Sequence, residues 1–168
     1  MLGLSVPASA LAFLVLVTPI CFWVAYTDLK YMKIFNVAVI ALIAVFAVAG
    51  PFLLPLDVYA WRWINLVVVL AIGVLLNATA GVGMGDVKFA AAAAPFFSTA
   101  TSHVQLMVLL LAGSLLGAFA AHRALRAVPA VRRMAPDWVS WQRKDFPFGL
   151  ALIATLWGYL AIVALTTG

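Results

Sequence analysis

The sequence predicts an all-α, polytopic membrane protein with six transmembrane helices, and three observations support this fold class. Hydrophobic residues make up 67% of the 168 residues, and charged residues make up 9%. The mean hydropathy is +1.19. Soluble domains are about half apolar and about a quarter charged, so this chain has too few polar residues to cover a surface that faces water. The third observation is a series of apolar runs separated by short polar loops.

Six apolar runs account for the six predicted helices. A helix needs about 20 apolar residues to cross the hydrocarbon core, and fewer when it packs inside a bundle. The runs cover residues 5–27, 37–56, 63–79, 88–97, 104–121 and 146–165.

Two of these runs need their own justification. The first has no basic segment before it, and Ala8-Ser9-Ala10 precedes its apolar stretch, so it is predicted to be a retained helix and not a cleaved signal peptide. The fourth is short, rich in alanine and contains Pro95. It could be a tilted transmembrane helix, a helix buried among its neighbours, or a re-entrant segment.

The distribution of cations predicts the orientation of the chain. The loops at residues 28–36, 80–88 and 122–145 share one side of the predicted bundle, and the other side has Arg62 alone. Because cytoplasmic loops carry the excess of Lys and Arg, these three loops are predicted to be cytoplasmic and both termini to lie outside. The nine cations of these loops are Lys30, Lys33, Lys88, Arg123, Arg126, Arg132, Arg133, Arg143 and Lys144.

Composition argues against several other kinds of protein. The single cysteine, Cys21, rules out an internal disulfide framework and a cysteine-cluster zinc site. His103 and His122 have no third ligand candidate nearby, so neither a metal nor another cofactor is predicted. The net charge of +5 is interpreted as orientation in a membrane and not as nucleic-acid binding. We expect one membrane domain over residues 1–168, in contact with lipid.

Two aspartates at the predicted cytoplasmic ends of helices are the main candidates for chemistry. Asp28 ends the first helix, and Asp86 precedes the fourth within Gly81-Val82-Gly83-Met84-Gly85-Asp86. If these helices lie side by side, the two carboxyls meet at the same depth. Two carboxyls in one site tend to share a proton, so one can take a proton from water while the other polarises a peptide carbonyl. The alternate glycines are expected to adopt unusual backbone conformations and to admit an extended substrate.

Two other interpretations of the aspartates remain open on the residues alone. A proton- or cation-coupled transporter could use them as relays, although such proteins typically have related halves with interrupted helices at the midplane. The sequence shows no such internal symmetry. Alternatively, Asp28 with Lys30 and Asp86 with Lys88 could be ordinary interfacial ion pairs.

The segment 83–89, Gly-Met-Gly-Asp-Val-Lys-Phe, resembles the GxGD signature of the type IV prepilin peptidases. The first motif is also similar, because Asp28 is followed by a basic stretch and by Ile34-Phe35-Asn36, where the family has Ile-Pro-Asn. A weaker similarity is Phe146-Pro147-Phe148-Gly149, where the family often has Pro-aromatic-Gly. Residues 26–28, Tyr-Thr-Asp, loosely resemble presenilin-like GxGD proteases, but six spans and the continuation to Lys88 favour the prepilin peptidases.

The resemblance implies an intramembrane aspartic endopeptidase of the bacterial inner membrane. It would remove the short basic leader of a prepilin on the cytoplasmic side, cutting after a glycine, with Asp28 and Asp86 as the catalytic pair. The chain resembles the short form found with Flp (tight adherence) pili, without a cytoplasmic zinc domain, and pilus assembly machinery is a further expected partner. The residues expected to bind substrate or shape the site are Gly83, Gly85, Lys88, Lys30, Lys33 and Asn36.

The resemblance also suggests how the substrate is held. Prepilins of this family typically carry a glutamate shortly after the cleavage point. A lysine near the aspartates could pair with that carboxylate, and Lys88 is the closest to Asp86 in sequence.

Overall fold

The computed structural model describes residues 4–166, and within that range the fold is helical without any strand. Two short 3-10 turns, Ala94–Phe96 and Val139–Trp141, join the helices. The α-helices are α1 (Val6–Tyr31), α2 (Asn36–Leu53), α3 (Leu56–Ala80), α4 (Met84–Ala93), α5 (Thr101–Ala127), α6 (Pro129–Met134) and α7 (Gly149–Leu165).

The predicted all-α, multi-pass class is confirmed. Among the described residues four helices are long and apolar enough to cross a membrane, namely α1, α2, α3 and α5. Among the described residues α7 is a further apolar helix but is shorter, with 17 residues, and α4 has only 10 residues. The predicted location of both termini on the outer, non-cytoplasmic side of the membrane concerns residues 1–3 and 167–168, which lie outside the described range.

Several helices extend beyond the apolar runs that predicted them. The first helix continues past Asp28 to Tyr31, and Met32 ends it in the left-handed conformation (φ 54°) with its N–H donating to the Asp28 carbonyl oxygen at 2.9 Å. The predicted loop 28–36 is therefore shortened to residues 32–35. The third helix begins early, directly after Pro55, and α5 continues to Ala127. Polar residues at a helix end continue the helical backbone hydrogen bonds, so the helix extends beyond the apolar run.

The core of the bundle lies between α1, α2, α4 and α7. Helix α7 packs against both α1 and α5, and α4 packs against α3, α2 and α7. Phe13, Phe46 and Phe96 form an aromatic cluster with ring centroids 5.2–5.9 Å apart. Helices α3 and α5 are hardly buried, so their apolar side chains provide the outer surface that lipid would cover.

Helix α4 is short, but its second half and the 3-10 turn after it are enclosed by the neighbouring helices. All residues from 91 to 96 are buried. The segment runs back along α3, because Asn77 donates to the Val82 carbonyl oxygen at 2.6 Å near one end and Arg62 donates to the Phe96 carbonyl oxygen at 3.3 Å near the other. The short fourth run is thus buried among its neighbours.

The sequence allowed the first and fourth helices to lie side by side, but they are not each other's main neighbours. The main neighbours of α1 are α7 and α2, whereas those of α4 are α3, α2 and α7. The two helices are connected through these shared neighbours and through the loop 32–35. This loop reaches α4 because backbone and side-chain atoms of Ile34 lie against Gly85.

Candidate active site

One cavity of about 320 Å³ brings both aspartates together at one end of the bundle. It includes six of the eight site residues predicted from the sequence, and Lys30 and Lys88 lie outside its lining. The residues that line it are Asp28, Met32, Lys33, Ile34, Phe35, Asn36, Gly83, Gly85 and Asp86.

The Asp28 carboxyl lies in the last turn of α1 and is only 5% exposed. Its Oδ2 atom has no hydrogen-bond partner among residues 4–166. The backbone N–H groups of Gly149 and Leu150, at the start of α7, face the carboxyl, and Asp86 is close enough to interact with its charge. A buried carboxyl oxygen without a full set of partners is costly, so this group is available to bind a further molecule.

The Asp86 carboxyl lies in the first turn of α4 and is half-buried. Burial raises the pKa of Asp86 to about 6. The carboxyl folds back over Gly83, because a Cβ atom at Gly83 would lie 2.6 Å from its Oδ2 atom. A negative charge in the first turn is favoured by the helix dipole, so the ionised form is accessible near neutral pH.

The expected role of the three alternate glycines needs correction. Gly81 alone among them has a positive φ, of 69°, at the end of α3. Gly83 has an ordinary φ of −58°, and Gly85 lies inside α4. A Cβ at Gly85 would make ordinary contacts of 3.6 Å with Ile34. Unusual backbone conformation therefore applies to Gly81, and Gly83 is small because the Asp86 carboxyl occupies the space beside it.

The three lysines of the predicted site have different surroundings. Lys33 is exposed and lines the cavity. Lys30 instead donates to the Tyr26 hydroxyl at 2.8 Å and lies 5.3 Å from the ring centroids of Tyr26 and Tyr31. Lys88 donates to Asn36 Oδ1 at 3.3 Å and so connects α4 to the start of α2.

Neither aspartate forms the ion pair that a structural interpretation requires. Within the described range the ion pair shorter than 4 Å is Arg143 with Asp145, at 3.6 Å. That part of the chain also contains no group of three or more His, Cys, Asp or Glu side chains that could hold a metal ion. The cavity therefore offers two carboxyls and one lysine as its charged groups.

Gly149 and Ile34 contact the site and were not among its predicted residues. A Cβ atom at Gly149 would lie 2.7 Å from Asp28 Oδ2 and 3.0 Å from Ile34 Cδ1. Ile34 therefore lies between the starts of α4 and α7. The signal for Gly149 was the segment Phe146-Pro147-Phe148-Gly149, which in isolation indicates only the start of a helix.

A comparison with known proteins identifies the family of the chain. The model of the type IV leader peptidase family matches residues 10–122. This range is more than half of the chain and contains both Asp28 and Asp86, whereas α7 lies outside it. No curated protein and no solved structure matches the chain. The chain belongs to the type IV leader peptidase family.

Proposed function

We propose that this protein is an intramembrane aspartic endopeptidase that removes the short basic leader of prepilin-like substrates, cutting after a glycine. The observation that carries the proposal is the meeting of Asp28 and Asp86 on one cavity, with a free carboxyl oxygen and no competing ion pair in the described chain. A peptidase family favours this function over the transporter that the aspartates alone would allow.

The proposal includes six spans in the bacterial inner membrane. Helix α4 with its 3-10 turn extends along α3 from the level of Asn77 to that of Arg62, so the two segments cross together. Helix α7, with 17 residues, is about 26 Å long at about 1.5 Å per residue and nearly matches a hydrocarbon core of about 30 Å. The cavity lies at the end of the bundle with the cation-rich loops, which the positive-inside rule assigns to the cytoplasm.

The two carboxyls supply acid and base chemistry for peptide hydrolysis. With one proton shared between Asp28 and Asp86, the ionised carboxyl takes a proton from water as the oxygen attacks the carbonyl carbon of the scissile bond. The protonated carboxyl donates a hydrogen bond to the carbonyl oxygen, which becomes negative in the tetrahedral intermediate. When the C–N bond breaks, a proton passes to the leaving amine, and the shared proton is restored.

Lys33 is the lysine best placed to bind the glutamate that follows the cleavage point in substrates. It lines the cavity, whereas Lys30 contacts tyrosines and Lys88 is bonded to Asn36. We assign Lys88 and Asn36 to holding α4 against α2, which keeps the Asp86 end of the cavity in place. Capture of the substrate carboxylate by Lys33 would set the distance between that glutamate and the bond that is cut.

Replacement of each aspartate tests the proposal. Asp28→Asn and Asp86→Asn proteins, purified into liposomes with a full-length prepilin, should each lose cleavage by roughly 1,000-fold or more, because asparagine can neither accept the water proton nor share one. Mass spectrometry of the new N-terminus measures cleavage. Asp57→Asn and Asp137→Asn are matched controls at exposed positions and should retain full activity.

Two results would contradict the proposal. Substantial cleavage by either the Asp28→Asn or the Asp86→Asn protein would exclude the carboxyl pair as the catalyst. Proton or cation flux in liposomes, without cleavage of any prepilin by the unaltered protein, would favour the transporter.

A further inference from the structure

We propose that Gly149, the first residue of α7, is a positioning residue that holds the Asp28 carboxyl at the shared cavity. The inference rests on the proposed peptidase function and adds a part of the chain, α7, that lies outside the residues matched by the family model. Gly149 is 121 positions from Asp28, and α7 is a neighbour of both α1 and α4.

The start of α7 is shaped to receive a carboxyl. Pro147 is fully buried, and Phe148 precedes the helix with φ −67° and ψ −28°. The first N–H groups of a helix have no partner within it, and those of Gly149 and Leu150 face Asp28. The Leu150 N–H also donates to the Pro147 carbonyl oxygen at 3.3 Å. Asp28 in turn is 5% exposed with an unpartnered Oδ2. The unpartnered Asp28 oxygen therefore lies at the N-terminal end of the 17-residue helix α7, where backbone N–H groups point outward.

The missing side chain at Gly149 is what permits this approach. A Cβ atom there would lie 2.7 Å from Asp28 Oδ2, 3.1 Å from Asp28 Cγ and 3.0 Å from Ile34 Cδ1. All three atoms belong to the outer parts of side chains, so an alanine can be accommodated by rotation of its neighbours without unfolding the bundle. The buried Asp28 carboxyl then has to turn away from α7, which changes its position relative to Asp86.

Each carboxyl of the pair is thus packed against a glycine. Gly83 lies beside Asp86, with a hypothetical Cβ at 2.6 Å from Oδ2, and Gly149 lies beside Asp28. Because a small displacement of a reacting group can slow a reaction strongly, both glycines are expected to control the geometry of the pair. Simple tight packing of α7 against Ile34 is the competing explanation for Gly149.

The test compares Gly149→Ala with Gly158→Ala on the same helix. A Cβ at Gly158 would meet only Leu110 Cδ2, at 3.8 Å, so that variant controls for an added methyl group in α7. In liposomes with full-length prepilin, Gly149→Ala should lower kcat roughly 10- to 100-fold with little change in KM. Gly158→Ala should behave as the unaltered protein, and both variants should keep its thermal midpoint within a few degrees.

A second variant separates positioning from packing. Ile34→Val removes the Cδ1 atom that a Gly149 methyl group would strike, but it leaves the contact with the carboxyl. If Gly149 only packs, adding Ile34→Val to Gly149→Ala should restore kcat to the level of Ile34→Val alone. If Gly149 positions Asp28, the double variant should remain as slow as Gly149→Ala.

A pH profile and a chemical probe supply readouts that packing would not move. In Gly149→Ala the alkaline limb of the pH–kcat profile should shift to higher pH, because the Asp28 carboxyl loses N–H groups that favour its ionised form and therefore keeps its proton to higher pH. The acidic limb, which Asp86 sets, should stay in place. The other charged groups lining the cavity, Asp86 and Lys33, are unchanged in this comparison. Labelling of Asp28 by dicyclohexylcarbodiimide, which reacts with protonated carboxyls, should be faster at each pH and is measured by mass spectrometry.

The outcomes distinguish this inference from the proposed function. Unchanged kcat, pH profile and labelling in Gly149→Ala would overturn the positioning role while leaving the peptidase intact. Absence of prepilin cleavage by the unaltered protein would overturn the peptidase, and the carbodiimide labelling would still decide whether Gly149 controls the Asp28 carboxyl.

Discussion

Each end of the helix bundle carries a cluster of polar groups, but the clusters differ in how completely those groups are hydrogen-bonded. At the cavity end, Asp28 has an unpartnered carboxyl oxygen and Asp86 has no salt bridge within the described range. At the other end, the Tyr159 hydroxyl contacts His103 Nδ1 at 2.9 Å and accepts the Ser98 N–H at 3.0 Å, and Arg62 donates to the Phe96 carbonyl oxygen.

This difference in hydrogen bonding suggests that one cluster stabilises the fold and that the other takes part in a reaction. Inside a membrane, backbone polar groups must find partners within the protein, and the Arg62–Tyr159 cluster supplies them where the 3-10 turn ends. The two aspartates do not supply partners to backbone groups in this way. An incompletely bonded buried carboxyl lowers stability, so its retention points to a use in binding or reaction. We therefore expect changes at the cavity end to affect rate, and changes at the other end to affect stability.

Acidification should produce the largest contrast between the two ends. Since burial raises the pKa of Asp86 to about 6, lowering the pH below that value protonates this carboxyl and leaves the pair without a base. Two pH units below the pKa, kcat should be about 100-fold lower. The rate is measured between pH 4 and pH 8 with thermal unfolding recorded at each pH. A flat profile in folded protein would contradict the assignment of Asp86.

Alanine at the two glycines of the GxGD segment should give the next largest effect. Gly83→Ala places a methyl group 2.6 Å from the Asp86 carboxyl, whereas Gly85→Ala makes only 3.6 Å contacts. We expect roughly a tenfold or greater loss of kcat for Gly83→Ala and a near-normal rate for Gly85→Ala. Steady-state cleavage kinetics in liposomes measures both. Equal losses in the two variants would show that general disturbance of α4 accounts for the effect.

Removal of the Lys33 charge should have a smaller effect, on substrate binding. Lys33→Met should raise KM for a prepilin roughly 3- to 10-fold, because a hydrogen bond to a charged group at an exposed site is worth about 1 kcal/mol. For the Lys33→Met protein, replacing the substrate glutamate by glutamine should cause no further rise in KM. Lys30→Met is the matched control, since that lysine contacts tyrosines. A larger KM change for Lys30→Met would place the carboxylate elsewhere.

Loss of the Tyr159 hydroxyl should leave the rate unchanged and reduce stability only. Tyr159→Phe removes the contacts to His103 and Ser98 and should lower the free energy of unfolding by about 1 kcal/mol. Thermal unfolding in detergent and cleavage kinetics per folded protein measure the two effects. A drop in kcat without loss of stability would mean that this end of the bundle participates in the reaction.

Much of the fold and part of the site follow from local sequence. Long apolar runs predict helices because a membrane leaves few other ways to satisfy the backbone, and this holds for α1, α2, α3 and α5. The residues of the Asp28 and Asp86 motifs were also identified from sequence, and six of the eight predicted site residues line one cavity. Both motifs consist of neighbours along the chain, so their composition is visible without the fold.

The tertiary structure alone decided how distant segments meet. Nothing in the pattern of residues indicates that Gly149 touches Asp28, that Lys33 and not Lys88 lines the cavity, or that α2 and α7 connect α1 with α4. Hydropathy and motif spacing give information about residues that are neighbours within one helix. Contacts between helices depend on which faces pack together, and in this bundle nearly every face is apolar, so packing geometry and not composition selects the partners.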